Sequence, residues 1–337
     1  MDIKRLKDKK TKMFRYFDNK SKKYINDKNI LNRINNLKIP PAYTNVIISK
    51  KHNSKIQAIG FDSKKRPQYI YNKDFIEQQK KLKFSDLVYF GKKIKRIRKD
   101  INLNLKNCYN NNLNILNKKC IISIILYLID KCNFRVGCDK YQKLYNTIGA
   151  TTLNKTHIKK MTNSISINFI GKKGVHNSST IKNPMICSLL LELCNINDKD
   201  FLFYYMDESS NKYRITERHI NQYLKKYHKS LSVKMFRTWS ANYILLKEIL
   251  NLDLPNSVSE AKRNINKAVK KAAFHMHHTA HVSKKSYMNN EIINLYLEDY
   301  NKFKKLIEYF RKENGNLPNI DRLLNLILSE INKNNKK

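Results

Sequence analysis

The sequence predicts an α+β protein: a small β-rich N-terminal domain, then a larger, mainly helical domain that carries one short β-hairpin sheet. Three observations point there. Short apolar runs separated by polar turns crowd the region before about residue 80. Long segments with apolar residues at helical spacing follow, and one period-two segment, Ser164-Ile-Ser-Ile-Asn-Phe-Ile170, interrupts them before a glycine-bounded turn at Gly171-Lys-Lys-Gly174.

Taken in order, residues 1–30 are Lys-rich and broken by like charges, and they read as a basic low-complexity arm. Residues 31–84 form the β-rich domain, with strands expected at Val46-Ile-Ile-Ser49, Ile56-Gln-Ala-Ile-Gly60 and Gln68-Tyr-Ile-Tyr71. A helix is expected from Asp74 to Asp100, where Phe84, Leu87, Val88, Ile94 and Ile97 lie beside a dense Lys and Arg face, and the domain junction falls at residues 80–85. The helical domain then spans 85–315, with helices expected at Asn114–Lys131, Lys182–Cys194, Glu217–His228, Arg237–Leu250, Ser259–His275 and Glu291–Arg311. Residues 316–337 complete the chain as a helix and a basic tail.

Composition narrows the function. With 337 residues and 41% hydrophobic content the chain can bury real cores, so it is not a disordered polyelectrolyte. Its 68 Lys and Arg against 27 Asp and Glu give a formal charge of +41, which calls for a polyanionic partner, by default nucleic acid. The basic residues are scattered through folded segments and not gathered on one amphipathic helix. The most apolar run, Ile121 to Ile129, is too short to span a bilayer, so no membrane partner is expected. Cys108, Cys120, Cys132, Cys138, Cys187 and Cys194 include no C-x-x-C pair and read as reduced core thiols, which suits a soluble intracellular protein. No Gly-x-x-x-x-Gly-Lys-Ser/Thr loop is present, so no nucleotide cofactor is expected. The cluster His275-Met-His-His-Thr-Ala-His281 has no nearby Cys or acidic residue to complete a tetrahedral site, so no metal is expected either.

Phosphoryl transfer from DNA to a protein hydroxyl needs a nucleophile, cations around the phosphate and an acid for the leaving sugar oxygen. Arginine suits the phosphate, because its planar fork donates paired hydrogen bonds and stays charged; lysine can be tuned toward proton transfer by neighbouring cations. The chain offers such residues in sequence. They are Phe134-Arg-Val-Gly137 with Tyr141, Thr147, Gly149 and Thr152; Phe169-Ile-Gly-Lys172; Lys234-Met-Phe-Arg237-Thr-Trp-Ser-Ala-Asn242; and His278-Thr279 followed by Ser283-Lys-Lys-Ser-Tyr287.

This order and spacing resembles the type IB DNA topoisomerases, most closely the compact enzymes of poxviruses and giant viruses, over about Ile39 to Tyr300. The resemblance implies an ATP- and metal-independent enzyme that nicks one strand of duplex DNA, lets it rotate and reseals it. Arg135, Arg237 and His278 would contact nonbridging oxygens of the scissile phosphate. Lys172 would protonate the leaving 5′ oxygen, although Lys173 beside it offers a second amine, and Tyr287 would hold the 3′ phosphate. In the segment Gly60-Phe-Asp-Ser-Lys-Lys-Arg-Pro-Gln-Tyr69-Ile-Tyr71 the two tyrosines would lie against DNA, and Lys140, Tyr141, Lys234, Asn242, Lys284 and Lys285 are further candidates for DNA contact. The implied architecture is a monomeric C-shaped clamp, working at the virion and cytoplasmic replication site if viral and with the chromosome otherwise. His277 stands where this family usually has glycine. The nearest rival, a tyrosine recombinase or junction-resolving strand transferase, typically has histidine where Lys234 stands; a non-enzymatic packaging protein has no use for the whole set.

Overall fold

A computed structural model describes residues 2–8, 10–11, 13–196, 201–252, 255–314 and 319–334. They divide into two compact units, Met1–Lys83 and Phe84–Lys337. Parts of the expected C-terminal segment, residues 316–318 and 335–337, lie outside the described residues.

The first unit is built on an antiparallel six-stranded sheet. Its strands are β1 (Ile3–Lys7), β2 (Phe14–Asp18), β3 (Lys23–Tyr24), β4 (Thr44–Ile48), β5 (Ile56–Phe61) and β6 (Pro67–Tyr71), in the spatial order β3-β2-β1-β4-β5-β6. Helix α1 (Lys28–Asn36) is started by Asp27, whose carboxylate accepts from the backbone of Asn29 and Ile30, and it buries Ile34 against Ile3, Val46, Ile48 and Ala58. The three later strands match the sequence expectation. The basic arm at residues 1–30 does not: β1 sits in the interior of the sheet between β2 and β4, and Ile3 is fully buried. Its lysines and arginines occupy mainly exposed and half-buried positions of the strands, where charge stays solvated and is compatible with sheet structure. Deleting residues 1–30 should therefore unfold this unit. Limited proteolysis should show rapid loss of residues 31–83 while the second unit survives, and a protease-resistant first unit in the truncated chain would contradict this packing.

The second unit begins within α2 (Lys73–Tyr109), a helix that extends beyond the expected end at Asp100 and buries Leu87, Phe90, Ile94, Ile97, Ile101 and Leu105. At its centre α3 (Lys118–Cys132) is apolar on every side, the signature of a helix surrounded by others. Asn117 caps its start, and Asn133, in the left-handed conformation with φ 56°, ends it. After the short α4 (Asp139–Tyr145) comes an antiparallel sheet of β7 (Ile158–Lys160), β8 (Ile165–Ile170) and β9 (His176–Ile181). Helix α5 (Pro184–Ile196), the hairpin of β10 (Tyr204–Met206) and β11 (Lys212–Arg214), and α6 (Glu217–Lys225) follow. The remaining helices are α7 (Lys234–Leu250), α8 (Val258–His275), α9 (Ala280–Ser286), α10 (Asn290–Glu298), α11 (Tyr300–Asn314) and α12 (Ile320–Asn334).

The single helix expected at Glu291–Arg311 is instead two, because Asp299 leaves helical geometry at φ −134°, ψ 58°. Two of the cysteines expected as reduced thiols, Cys108 and Cys120, are disulfide-bonded across the turn from α2 to α3, while Cys132, Cys138, Cys187 and Cys194 are free. Among the described residues no helix is long and apolar enough to cross a membrane.

Candidate active site

Each expected site residue of the second unit is placed by a local device. The left-handed cap Asn133 turns the chain out of α3, and Phe134, fully buried, packs edge-on against Phe169 of β8 with ring centroids 4.8 Å apart. The next peptide groups are sewn to a neighbouring loop: Ala150 N donates to Arg135 O and Thr151 N to Val136 O, both at 2.7 Å. This approach requires glycine at 149, where an added Cβ would lie 2.5 Å from Gly137 N and 2.7 Å from Arg135 O. The glycines and threonines of the first motif thus fix the backbone of Arg135.

Lys172 begins the turn between β8 and β9. There Gly171 N donates to Val175 O at 2.8 Å, and a Cβ on Gly171 would meet the Asn177 amide at 2.5 Å. Lys173 and Gly174 reverse the chain through positive φ, 66° and 74°. Arg237 lies on the first turn of α7 and is only 5% exposed. His278 follows α8 after His277, which adopts φ 53°. A left-handed residue is one that glycine accepts most easily, and here a histidine fills the position with its ring packed near Phe134 and its Nε2 3.3 Å from Cys132 O.

These groups converge. The Arg135 guanidinium donates to the Tyr287 hydroxyl from Nη1 at 2.8 Å, and its Nη2 lies 2.9 Å from His278 Nε2. Arg237 Nη2 lies 2.6 Å from the same imidazole nitrogen and donates to Met276 O at 2.9 Å. Arginine has donors only, so Nε2 must accept from both, which leaves the ring proton on Nδ1, 3.5 Å from Ser283 Oγ. The Tyr287 ring tilts over the imidazole with centroids 4.7 Å apart. Two further Arg237 nitrogens, Nε and Nη1, are buried without a well-formed hydrogen bond among the described residues, although the guanidinium faces the Tyr287 hydroxyl. Buried donors of a guanidinium cost free energy when unmet, and an oxyanion is the partner that meets them best.

The electrostatics follow from this crowding. Burial, reinforced by Arg237 and Arg135, pushes His278 down to about 3, so the ring is neutral. Burial pushes the Tyr287 hydroxyl up, but the charges of Arg237 and Arg135 more than offset it and hold the phenol below its ordinary value. Burial lowers Arg237 to about 10, with the Tyr287 hydroxyl opposing and Arg135 reinforcing the shift. Lys172 is also lowered, by burial first, then by Arg135 and, less, by Lys173 and Lys234, against an upward pull from Tyr287. The amine that directly follows Gly171 therefore lies within electrostatic reach of both Arg135 and Tyr287.

The expected DNA-contact residues separate into surface and interior. Tyr69 and Tyr71 are exposed on β6 of the first unit, stacked with centroids 6.2 Å apart. Lys140 and Tyr141 lie exposed on α4, Lys284 and Lys285 exposed on α9, and Lys234 is solvated at the start of α7, 3.5 Å from Glu217. Asn242 belongs to the interior instead. It is fully buried, its amide donates to Thr238 O at 2.7 Å and Tyr287 O at 2.9 Å, and its Oδ1 accepts from Asn289 N at 2.8 Å. With these polar atoms engaged on backbone it cannot reach a base or phosphate; it holds the tyrosine's own peptide in place. Among the described residues, no group of three His, Cys, Asp or Glu side chains converges as a metal site would require. Nothing local in the sequence marks Ser283 as the neighbour of the His278 imidazole; the only signal is its place four residues before Tyr287.

Residues 72–314 match the family model described as eukaryotic DNA topoisomerase I, catalytic core, and residues 13–62 match that of the bacterial DNA topoisomerase IB N-terminal domain. The chain belongs to the type IB DNA topoisomerases. Among individual type IB enzymes, it is 36% identical over 292 residues to DNA topoisomerase 1B of Acanthamoeba polyphaga mimivirus, covering 84% of each chain. It is 26% identical over 293 residues to DNA topoisomerase 1B of vaccinia virus, strain Copenhagen, covering 82% of this chain and 88% of the relative. DNA topoisomerase 1 of rabbit fibroma virus is 24% identical over 275 residues. The site of this topoisomerase thus lies within the segment that matches the catalytic core, and β1 within a segment that precedes the N-terminal match.

Proposed function

We propose that this type IB topoisomerase relaxes supercoiled duplex DNA with Tyr287 as nucleophile, Arg135, Arg237 and His278 as the phosphate cradle, and Lys172 as general acid. Once the guanidiniums turn from Nε2 to the phosphate, the neutral His278 ring carries its proton on Nε2 and donates it to a nonbridging oxygen. The observation that carries the reading is the convergence of two guanidiniums on one imidazole nitrogen beside the tyrosine hydroxyl. Two like charges held this close repel, and a phosphate entering among them turns repulsion into attraction. Its negative charge rises in the transition state, where preorganised donors stabilise it most.

In the forward step Tyr287 Oη bonds to phosphorus as its proton passes to water, and the bond from phosphorus to the 5′ oxygen breaks as Lys172 delivers a proton to the departing oxygen. Arg135 and Arg237 ease the first proton transfer by stabilising phenolate character at Tyr287. A lysine whose ammonium is destabilised by burial and by neighbouring cations is a better acid than a solvated one, which suits Lys172 to the second. With side-chain cations balancing the charge and one phosphodiester exchanged for another, the reaction needs neither ATP nor a metal. Resealing is the reverse step, after torsion has turned the free strand. In this reading the chain acts as a monomer, its two units engaging one duplex as a clamp, soluble and wherever the DNA resides. Many Lys and Arg contacts to phosphate hold the register, while Tyr69 and Tyr71 reach sugars or base edges.

The test is the polarity of the covalent adduct. Denaturing a cleavage reaction should leave the protein attached to the 3′ end of the cut strand, so that a 5′-labelled strand shifts to protein size and the labelled peptide contains Tyr287. Attachment to the 5′ end, or to another residue, would overturn the assignment.

A further inference from the structure

The match to the catalytic core ends at residue 314, yet α12, beginning at Ile320, is keyed into the helix that carries Arg237. Leu323, Leu324, Ile327 and Leu328 of α12 are buried in the same core as α7. At the head of α12, Asp321 Oδ1 accepts from the indole nitrogen of Trp239 at 2.6 Å, and its Oδ2 accepts from Arg98 Nη1 at 2.7 Å. Arg98, on α2, in turn grips Asp130 of α3 through two bonds, at 2.9 and 3.0 Å. The carboxylate therefore joins four helices. The approach is tight: a Cβ on Gly91 of α2 would lie 2.4 Å from Asn325 Oδ1 of α12 and 2.5 Å from the Trp239 ring.

Trp239 stands two residues after Arg237, which places the two side chains on roughly opposite faces of α7. On one face the indole is fixed by Asp321; on the other the guanidinium reaches Met276 O and His278. A rotation of α7 about its axis would carry both, together with Asn242, which holds the Tyr287 carbonyl. Pinning the indole sets that rotation.

We propose that Asp321 of the C-terminal helix is a positioning residue for Arg237, fixing the rotation of α7 through its bond to Trp239. The inference rests on the reading that Arg237 contacts the scissile phosphate. A misplacement of about 1 Å at a reacting group can cost on the order of 10²-fold in rate, so a device remote from the phosphate can matter to the chemistry.

The test is single-turnover cleavage at saturating DNA by the full chain, with Asp321→Ala, Asp321→Asn, Trp239→Phe and the Trp239→Phe/Asp321→Ala double variant. Noncovalent affinity and thermal unfolding are measured on the same preparations. Asp321→Ala should slow cleavage by about 10- to 10²-fold with DNA affinity nearly unchanged. Asp321→Asn should retain most of the rate, because its amide oxygen still accepts from the indole and Arg98 keeps Asp130. The double variant should be no slower than the slower single one, since both break one bond. Replacing the bridging 5′ oxygen with sulfur should not rescue Asp321→Ala, as expected for a defect felt at the nonbridging oxygens.

Wild-type cleavage by Asp321→Ala would overturn the proposal, as would a loss that disappears on cooling along with partial unfolding. If Asp321→Ala does not fold, Trp239→Phe carries the test: slowed cleavage with normal unfolding supports the proposal and normal cleavage sinks it. Arg237→Ala measured in parallel separates the two layers. Wild-type cleavage by Arg237→Ala removes the reading of the site itself, whereas an inactive Arg237→Ala beside a fully active Asp321→Ala removes only the positioning role.

Discussion

Replacing Tyr287 with phenylalanine should abolish both relaxation and the covalent adduct, a loss on the order of 10⁴-fold or more, while DNA affinity stays close to that of the native chain. The substitution removes one oxygen. The ring that packs over His278 at 4.7 Å remains, and so does the backbone carbonyl held by Asn242 at 2.9 Å, so the surrounding site has little reason to rearrange. The Arg135 donor that pointed at the hydroxyl becomes available to phosphate, which would if anything favour noncovalent binding. Gel-shift titration beside a plasmid relaxation assay checks both halves. Relaxation by the phenylalanine variant would show that another residue attacks.

Lys172→Ala should lower the cleavage rate by about 10²- to 10⁴-fold, the usual range for a positioned general acid. The diagnostic measurement is its rescue. A 5′ sulfur in place of the bridging oxygen leaves as a far weaker base and needs little protonation, so the substituted DNA should restore cleavage by Lys172→Ala. Arg237→Ala should stay slow, because charge develops on the nonbridging oxygens whichever atom departs. Lys173→Ala, tested alongside, separates the neighbours. Lys173 sits at the left-handed corner of the turn, whereas Lys172 directly follows Gly171 and is lowered by burial and by Arg135. Rescue confined to Lys173→Ala would move the acid by one residue.

Much of the site was legible because its members are short motifs in a fixed order. Arg135, Lys172, Arg237, His278 and Tyr287 each stand beside residues whose structural task can be named, such as Gly149 behind Arg135 and Gly171 before Lys172. The helices were legible where apolar residues run long and nearly unbroken, as in α3, and their ends were less so, because ends are set by single caps such as Asn117 and Asn133. The strands β1 and β2 were hidden by charge: Lys4, Arg5, Lys7 and Arg15 dominate the local composition, while the few apolar residues that matter, led by Ile3, find partners more than thirty residues away in α1 and β4.

Asn242 was misread for a related reason. It stands in the motif that carries Arg237, but beyond the bond to Thr238 O four residues back its hydrogen bonds run to backbone 45 and 47 residues distant. Asp321 gives no local sign at all, since its partners Trp239 and Arg98 are 82 and 223 residues away. Contacts of that separation are made by the fold, and a single sequence read along its length does not contain them.

The most direct test of the central claim, that side chains alone run strand cleavage at Tyr287, is incubation of the purified chain with negatively supercoiled plasmid in excess EDTA without ATP. A ladder of topoisomers ending in relaxed closed circles is expected, with Tyr287→Phe inert under the same conditions. No relaxation until a divalent metal or ATP is supplied, or accumulation of nicked circles that never reseal, would contradict it.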